Sequence, residues 1–361
     1  MAKATAGVTF DILHLQVSTL SDHPTVKAVR ARAGDGGYNA APLDAAELRE
    51  LCLRAGADDV GFASVDDATL AVDRDDIQAA LPGARSLISI CVRMNRDSVR
   101  SPMRSVANVE FHGTLDDSDE VTRRIARELE RRGVRAAVPA AAFPQEMDRF
   151  GGKSWVVSHK LVAAAAGLGH MGIHRNVIHP RFGNFIMLGT VLLEPLITEY
   201  STPLAWNPCL ECNLCVAACP VGAIDKDGDF DFISCYTHNY REFMSGFTSW
   251  VEQVVEADDA NDYRERVSDQ ETVSMWQSLA FKPKYRAAYC VSVCPAGEDV
   301  IGPFLSDRKQ HIRDVVRPLQ QKEETVYVLP DSPAEAHVAK RFPNKHAKRV
   351  SNGLVPPPKQ A

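Results

Sequence analysis

NPCLECNLCVAACPVGAI, residues 207–224, decides how this chain folds and what it holds. Its cysteines fall as Cys209-x2-Cys212-x2-Cys215-x3-Cys219, with Pro220 directly after the last. Three thiolates this close on one loop can serve three irons of a cuboidal cluster. The fourth cannot bend back to the same cluster, and Pro220 with the helix start behind it directs that thiolate to a second one. A zinc site pairs CxxC units across longer loops, so this spacing suits iron–sulfur and not zinc.

The ferredoxin-like pattern calls for a second motif that returns a ligand to the first cluster. YCVSVCPAGEDV (289–300) supplies it, because Cys290-x3-Cys294-Pro295 repeats the end of the first motif. Cross-ligation then gives cluster one Cys209, Cys212, Cys215 and Cys294, and gives cluster two Cys219, Cys290 and the intervening Cys235. That makes seven thiolates where two 4Fe–4S cubanes take eight, and the position three before Cys290 is Ala287. Three readings stand open for cluster two. A non-cysteine ligand such as His238 completes it, one iron stays open or is lost, or only cluster one forms. The reading adopted is two 4Fe–4S clusters, the second atypical.

The rest of the composition agrees with a reducing compartment. Seven of nine cysteines fall between 209 and 294, a cluster rather than a disulfide framework. Cys52 and Cys91 sit in the apolar runs ELRELCLRAG and SLISICVRM and read as core. A formal net charge of -6 gives no basic footprint for DNA. No apolar run approaches the roughly 18–20 residues that span a bilayer. The first 30 residues include Asp11, His14, Asp22 and His23 and lack a secretory signal or a twin-arginine pair. The chain is therefore expected in the cytoplasm.

Four segments are expected: an N-terminal arm (1–40), an α/β layer domain (41–200), a ferredoxin-like domain (201–305) and a C-terminal helix with a basic tail (306–361). Within the second, LDAAELRELCLRAG predicts a helix capped by Asp44 and stopped by Gly56. DDVGFAS and RSLISICV (85–92) read as strands, and FIMLGTVLLEPL (185–196) as the central one. Asp117 and Glu120 suggest a capping box that starts a helix with the stripe Val121, Ile125 and Leu129. VRAAVPA reads as a strand and SHKLVAAAAGLG as a helix. An acidic insertion, 237–286, is expected to be helical with a solvated face. A helix around Ile312, Val315, Val316 and Leu319 packs inward. The final KRFPNKHAKRVSNGLVPPPKQA reads as a partly disordered tail.

Gly167, Gly169 and Gly172 spell GxGxxG, with Glu194 about twenty residues on. A dinucleotide fingerprint follows a strand and opens a helix, whereas these glycines follow the helical run HKLVAAAA. Helix termination with close packing is one reading. A bare loop that lets a large planar cofactor approach the backbone is the other.

From GLGHMGIHRNVIHPRFGNFIMLGTVLLEPL into CLECNLCVAACPVGAI, the chain resembles the iron–sulfur reductases that include epoxyqueuosine reductase and the corrinoid reductive dehalogenases. The resemblance runs from about 41 to 305. It implies a nitroreductase-like α/β half that holds cobalamin, facing a bacterial ferredoxin-like double-cluster half. It implies cofactor contacts at Gly167, Gly169, His170, Gly172, His174 and Asn176. Where that family carries a catalytic carboxylate before AGLG, this chain has Lys153, with Glu146 and Asp148 slightly upstream. Lys153 is thus the candidate for proton delivery, closer to the dehalogenase pattern. No helical-repeat extension is evident and the chain is acidic, which argues against tRNA as a partner. The expected function is a reductase charged by ferredoxin or flavodoxin that reduces a corrinoid or a small organic substrate. The alternative is a non-catalytic ferredoxin-type electron carrier.

Overall fold

The computed structural model describes residues 18–31, 38–149 and 152–351, the side chain of Ser245 excepted. The chain divides into two compact units, Met1–Tyr38 and Asn39–Ala361. The described part of the first contains helix α1 (Pro24–Ala31), none of whose residues is buried. Residues 1–17 and 32–37 of the expected arm lie outside the described residues.

The second unit opens as its sequence predicts. Helix α2 (Ala45–Ala55) starts where the Asp44 carboxylate accepts from the Glu47 amide, and Gly56 at φ 117° stops it. It buries Leu48, Leu51 and Cys52. Strand β1 (Asp59–Ser64), α3 (Arg74–Ala80), β2 (Ser86–Arg93) and the short α4 (Arg96–Arg100) follow. Helix α5 then runs without a break over Arg104–Arg131. The capping box expected at Asp117 is therefore not a helix start, and Asp117 lies exposed in mid-helix. The earlier turns were hidden because polar Asn108 and Thr114 share their buried face with Phe111 and Leu115. Asn108 is held by tertiary bonds: its Nδ2 donates to Tyr285 O at 3.0 Å and its Oδ1 accepts from the Tyr285 amide at 2.7 Å.

Strand β3 is two residues long (Ala136–Ala137). Helix α6 (His159–Ala165), a hairpin of β4 (His170–Met171) and β5 (Val177–Ile178), and β6 (Ile186–Leu193) complete this part. The sheet order is β1-β2-β6-β3 and every pair is antiparallel. Both faces of the sheet are covered, which explains why β2 and β6 read as continuous apolar runs. Ile88 and Ile90 pack with Val121, Ile125 and Leu129 of α5, while Leu87 packs with Val162 and Ala165 of α6. Gly189 of β6 lets α5 lie close, since a Cβ there would stand 2.7 Å from Thr122 Cγ2 and 2.8 Å from Ser118 Oγ. The result is a mixed α/β fold.

The cysteine-rich part is helical: α7 (Leu214–Ala218), α8 (Phe232–Asn239), α9 (Ser245–Glu256), α10 (Ala260–Arg266), α11 (Asp269–Phe281) and α12 (Tyr289–Val293). The insertion is helical as expected. Its surface is not only polar, because Val255, Trp276, Leu279 and Phe281 are all exposed. Helices α13 (Gly302–Ser306) and α14 (Arg308–His311), a π-helical turn (Ile312–Val316) and α15 (Arg317–Gln321) form the expected C-terminal helical stretch. Val316 and Leu319 bury into the core that holds Leu214, Ala218 and Val293.

The basic stretch beyond departs from expectation. Strand β7 (Glu324–Val328), α16 (Pro333–Arg341) and β8 (Lys345–Arg349) form a parallel β-α-β unit. Lys345 is buried, with Nζ 2.6 Å from Glu324 Oε1 and 2.9 Å from Leu319 O. Its charge is a structural pin inside the fold. Residues 352–361 of the expected tail lie outside the described residues.

Candidate metal centre

The two cysteine motifs share one backbone conformation. In the first, Asn213 adopts φ 52°, ψ 20°, five residues of α7 follow with Cys215 second, and Cys219 ends the helix at φ -67°, ψ 114°. In the second, Ala288 adopts φ 50°, ψ 26°, five residues of α12 follow with Cys290 second, and Cys294 ends the helix at φ -66°, ψ 124°. Pro220 and Pro295 stand next in each. Helices α7 and α12 pack against each other, so each motif delivers its last cysteine across to the other. The left-handed turn before each helix is an uncommon conformation for a residue with a Cβ. In the second motif the Asn239 side-chain oxygen holds it, accepting from the Ala287 and Ala288 amides at 3.0 and 2.8 Å.

Cys209, Cys212, Cys215 and Cys294 line one small cavity, with Ile173, His174 and Ala296 in its wall. Asn207 ties this pocket to the β4–β5 hairpin. Its Oδ1 accepts from the Cys209 amide at 2.9 Å and its Nδ2 donates to Met171 O at 3.0 Å. Cys219, Cys235 and Cys290 form a second neighbourhood. Burial raises the Cys235 thiol well above its ordinary range, and Cys290 and Cys219 add to the rise. Burial pushes Cys290 up to about 12, with Cys219 its next influence, and Cys294 likewise to about 12. Metal binding at these thiols must displace protons and so is coupled to pH. The Cys219 sulfur accepts from the Ala223 amide at 3.3 Å, in a loop whose other amides also favour its thiolate.

Cations surround both pockets. The guanidinium of Arg104, 7% exposed, lies over the Tyr289 ring and within electrostatic range of Cys290. Its Nε and Nη2 have no hydrogen-bond partner among the described residues, and the same holds for Arg100 Nη2 near Cys294. Lys160 donates to Arg175 O at 2.7 Å and Asn176 Oδ1 at 3.1 Å, while Cys290 and Cys235 offset the lowering of its pKa by burial. Arg308 acts on Cys212. Glu324 acts on Arg104 ahead of Cys290, and Asp97 on Arg100 ahead of Cys294. Lys160 has no carboxylate among its influences, and such a cation is costly to bury unless an anion stands beside it. A thiolate-ligated iron–sulfur cluster is such an anion, so the donor set and its surroundings fit that group. Among the described residues no three His, Cys, Asp or Glu side chains gather as a single-ion site. Tetrahedral zinc would need thiolates about 3.8 Å apart.

The residues of the glycine loop separate. A Cβ at Gly167 would meet Thr202 O at 2.4 Å, and one at Gly169 would meet Ile178 O at 2.5 Å. At Gly172 it would meet Ile178 Cδ1 at 2.7 Å. The bare faces of all three glycines are thus filled by the chain itself, in keeping with the reading of helix termination and close packing. His170 is exposed on the hairpin. His174 is buried in the wall of the first pocket, its Nδ1 accepting from the Asn176 amide and its Nε2 facing the Asn184 side-chain amide at 3.3 Å. Burial holds it neutral, down to about 4. Asn176 sets its Nδ2 3.9 Å from Cys290 Sγ.

Lys153 is engaged elsewhere. Its Nζ lies 2.5 Å from Asp73 Oδ1 and 2.7 Å from Asp76 Oδ2, and also donates to Val72 O and Val156 O. Asp73 in turn accepts from the Ser158 amide ahead of α6. These bonds make Lys153 a clamp between α3 and the preceding loop. Cys52 and Cys91 are fully buried in the sheet layers, as expected. Sequence reading missed Lys160, Arg104, Asn207 and Asn239. Only Lys160 carried a signal, a lone cation in the run KLVAAAA.

A wider cleft of about 350 Å³ opens a few residues beyond Cys294, walled by Asp58, Arg93, Asn95, Arg96, Phe182 and Asp299. Gly183 and Gly297 pack together between this cleft and the first cysteine pocket.

The chain is 31% identical over 253 residues to an epoxyqueuosine reductase of Synechococcus sp. (strain CC9605), covering 62% of this chain and 71% of that protein. It is 29% identical over 170 residues to an epoxyqueuosine reductase of Gloeobacter violaceus (strain ATCC 29082 / PCC 7421), covering 47% of this chain. The match spans half the length of that relative. No protein-family model matches. Among solved structures, the epoxyqueuosine reductase from Streptococcus thermophilus is similar at TM-score 0.43 and 16% identity, over 75% of each chain. The catabolic reductive dehalogenase NpRdhA is similar at 0.46 and 14%, over 87% of this chain and 41% of that one. An epoxyqueuosine reductase with a tRNA-Tyr epoxyqueuosine-modified tRNA stem loop is similar at 0.38 and 15%, over 83% and 81%. The match to the curated epoxyqueuosine reductases overturns the expectation that argued against tRNA as a partner. The acidic net charge was a poor guide, because it averages over the whole surface. Among the described residues no helix is long and apolar enough to cross a membrane.

Proposed function

The chain belongs to the epoxyqueuosine reductase family, and from that premise we propose that it is a reductase whose electrons pass through iron–sulfur clusters held by its motif cysteines. The observation that carries this reading is the repeated motif, two matching turns and helices that gather the cysteines into pockets, with Lys160 beside the second. When bound, such clusters supply one-electron transfer at a potential set by charge, hydrogen bonding and exposure.

The chain's own residues do the rest. Cys209, Cys212, Cys215 and Cys294 would hold the first cluster, and Cys219, Cys235 and Cys290 the second. Arg100, Arg104, Lys160 and Arg308 offset the negative charge of the thiolates. Neutral His174 walls the first pocket without adding charge. In this reading, residues 41–200 are a nitroreductase-like layer and 201–305 a ferredoxin-like double-cluster half. A ferredoxin or flavodoxin supplies electrons in the cytoplasm.

The relatives' name points to an epoxide on a modified nucleoside, carried by tRNA, as the substrate. The cleft beyond Cys294 supports that reading. Its Arg93 and Arg96 guanidiniums and Asn95 suit a nucleoside's polar edges and phosphate, and Phe182 and Phe185 give it apolar walls. Lys153, clamped by two carboxylates, is no longer favoured as proton donor.

The test uses the full chain, purified anaerobically, with dithionite and an epoxyqueuosine-modified tRNA stem loop, the product being weighed by mass spectrometry. Conversion to the deoxygenated nucleoside is expected, lost with Cys212→Ala and lowered at least tenfold with Arg96→Ala. Clusters that reduce and reoxidise while the nucleoside stays unchanged would contradict it and favour a carrier.

A further inference from the structure

Superposing the two motifs by backbone conformation pairs Asn213 with Ala288, Cys215 with Cys290 and Cys219 with Cys294. The residue that then pairs with Cys212 is Ala287. Its place is not displaced or disordered, for Ala287 is 5% exposed and its amide is fixed on Asn239 Oδ1. The second motif therefore keeps the turn that presents a ligand and carries a methyl group where the ligand should be. We propose that the second pocket holds its cluster through only three thiolates, Cys219, Cys235 and Cys290, and leaves one iron corner open to a small exogenous anion. The proposal rests on the iron–sulfur reading above.

The first substitute to weigh is the Tyr240 oxygen, within electrostatic range of Cys235 and Cys290. His238 lies one turn beyond Cys235 on α8 and its Nε2 has no hydrogen-bond partner among the described residues. Its Nδ1, however, accepts from the Tyr327 amide at 3.3 Å, which leaves the ring proton on Nε2 and no lone pair there for iron. Its leading charged influences are Glu324, Arg286, Lys345 and Lys322. The Asn239 oxygen is spent on two amides. Asn176 points an N–H donor at Cys290, and a donor cannot ligate iron. Cys52 and Cys91 are locked in the sheet cores. Lys160 and Asn176 instead make the Cys290 and Cys235 side electropositive, which is why the missing ligand is an anion.

The full chain is reconstituted anaerobically with iron and sulfide, and cyanide serves as the probe. Dithionite-reduced protein is followed by electron paramagnetic resonance with and without cyanide. Separately, ferricyanide takes one electron from the oxidised cluster and the open-corner iron leaves as a ferrous ion, so iron is counted before and after. In the native chain, cyanide is expected to shift one of two signals, and ferricyanide to release about one iron per chain. Ala287→Cys is expected to abolish both responses. If that variant does not fold, the two native measurements still decide. Unchanged signals with all iron retained would overturn the proposal, and if His238→Ala or Tyr240→Phe then conferred both responses, that residue would be the ligand instead. About four irons per chain, lost with Cys212→Ala, would also overturn it while leaving the first cluster intact. No iron or sulfide bound at all would instead mark the failure of the iron–sulfur reading.

Discussion

At the scale of the residue, charge beside the thiolates does most to set what the pockets can do. Lys160→Met removes a cation from the Cys290 and Cys235 side. Reduction adds a negative charge, so the variant's second cluster should be harder to reduce. A fall on the order of 50–100 mV is expected, read by potentiometric titration, with Lys160→Arg largely restoring the native value. His238 gives a separate test in the fold. Burial holds it neutral, down to about 3, whereas an unfolded histidine titrates near about 6.5. Between those values the unfolded chain binds the extra proton, so stability falls as pH drops below about 6.5 and flattens below about 3. His238→Gln should flatten that acid-side slope in denaturant titrations, although losing the ring's packing lowers stability at neutral pH. The sequence offered only faint signals here, a lone cation in KLVAAAA for Lys160 and a histidine three residues after Cys235. A buried cation and a buried neutral histidine are made by tertiary neighbours.

At the scale of the element, local rules succeeded where a cap and a stripe agreed, as at Asp44, Gly56, Leu48 and Leu51. They failed where packing overrode them. Helix α5 passes through Gly113 and the apparent cap at Asp117 because Asn108 and Phe111 are fixed by the segment around Tyr285. Strand β8 was hidden because its charge pattern, Lys-His-Ala-Lys-Arg, belongs to an edge strand whose first lysine is buried on Glu324. The second cysteine turn depends on one side chain. Asn239→Ala leaves the Ala287 and Ala288 amides without their acceptor, at a cost of about 1–3 kcal/mol each. The expected outcome is a lower melting temperature together with preferential loss of second-pocket iron. Ala288→Gly should act oppositely, relieving about 1 kcal/mol of left-handed strain. Equal loss of iron from both pockets in Asn239→Ala would contradict this account.

At the scale of the whole molecule, the cysteine spacing anticipated which thiols gather, since Cys209, Cys212, Cys215 and Cys294 line one cavity. The pockets bring together what the sequence separates by up to 85 positions, from Cys209 to Cys294. The glycine motif was set aside as a fingerprint for want of its context, and close packing is what the structure shows at its glycines. Its residues are required by the hairpin's own packing, and a fingerprint without its strand–turn–helix context carries little. The tRNA expectation failed because net charge is a sum over the surface and a binding site is not. The central claim is that the seven motif cysteines hold two iron–sulfur clusters, the second on three thiolates. The most direct measurement is iron and acid-labile sulfide per chain in anaerobically purified full-length protein, with electron paramagnetic resonance of the reduced state. The account predicts about seven to eight irons with matching sulfide and two signals, only one of them responding to cyanide. Zinc without sulfide, or a single cluster signal, would contradict it.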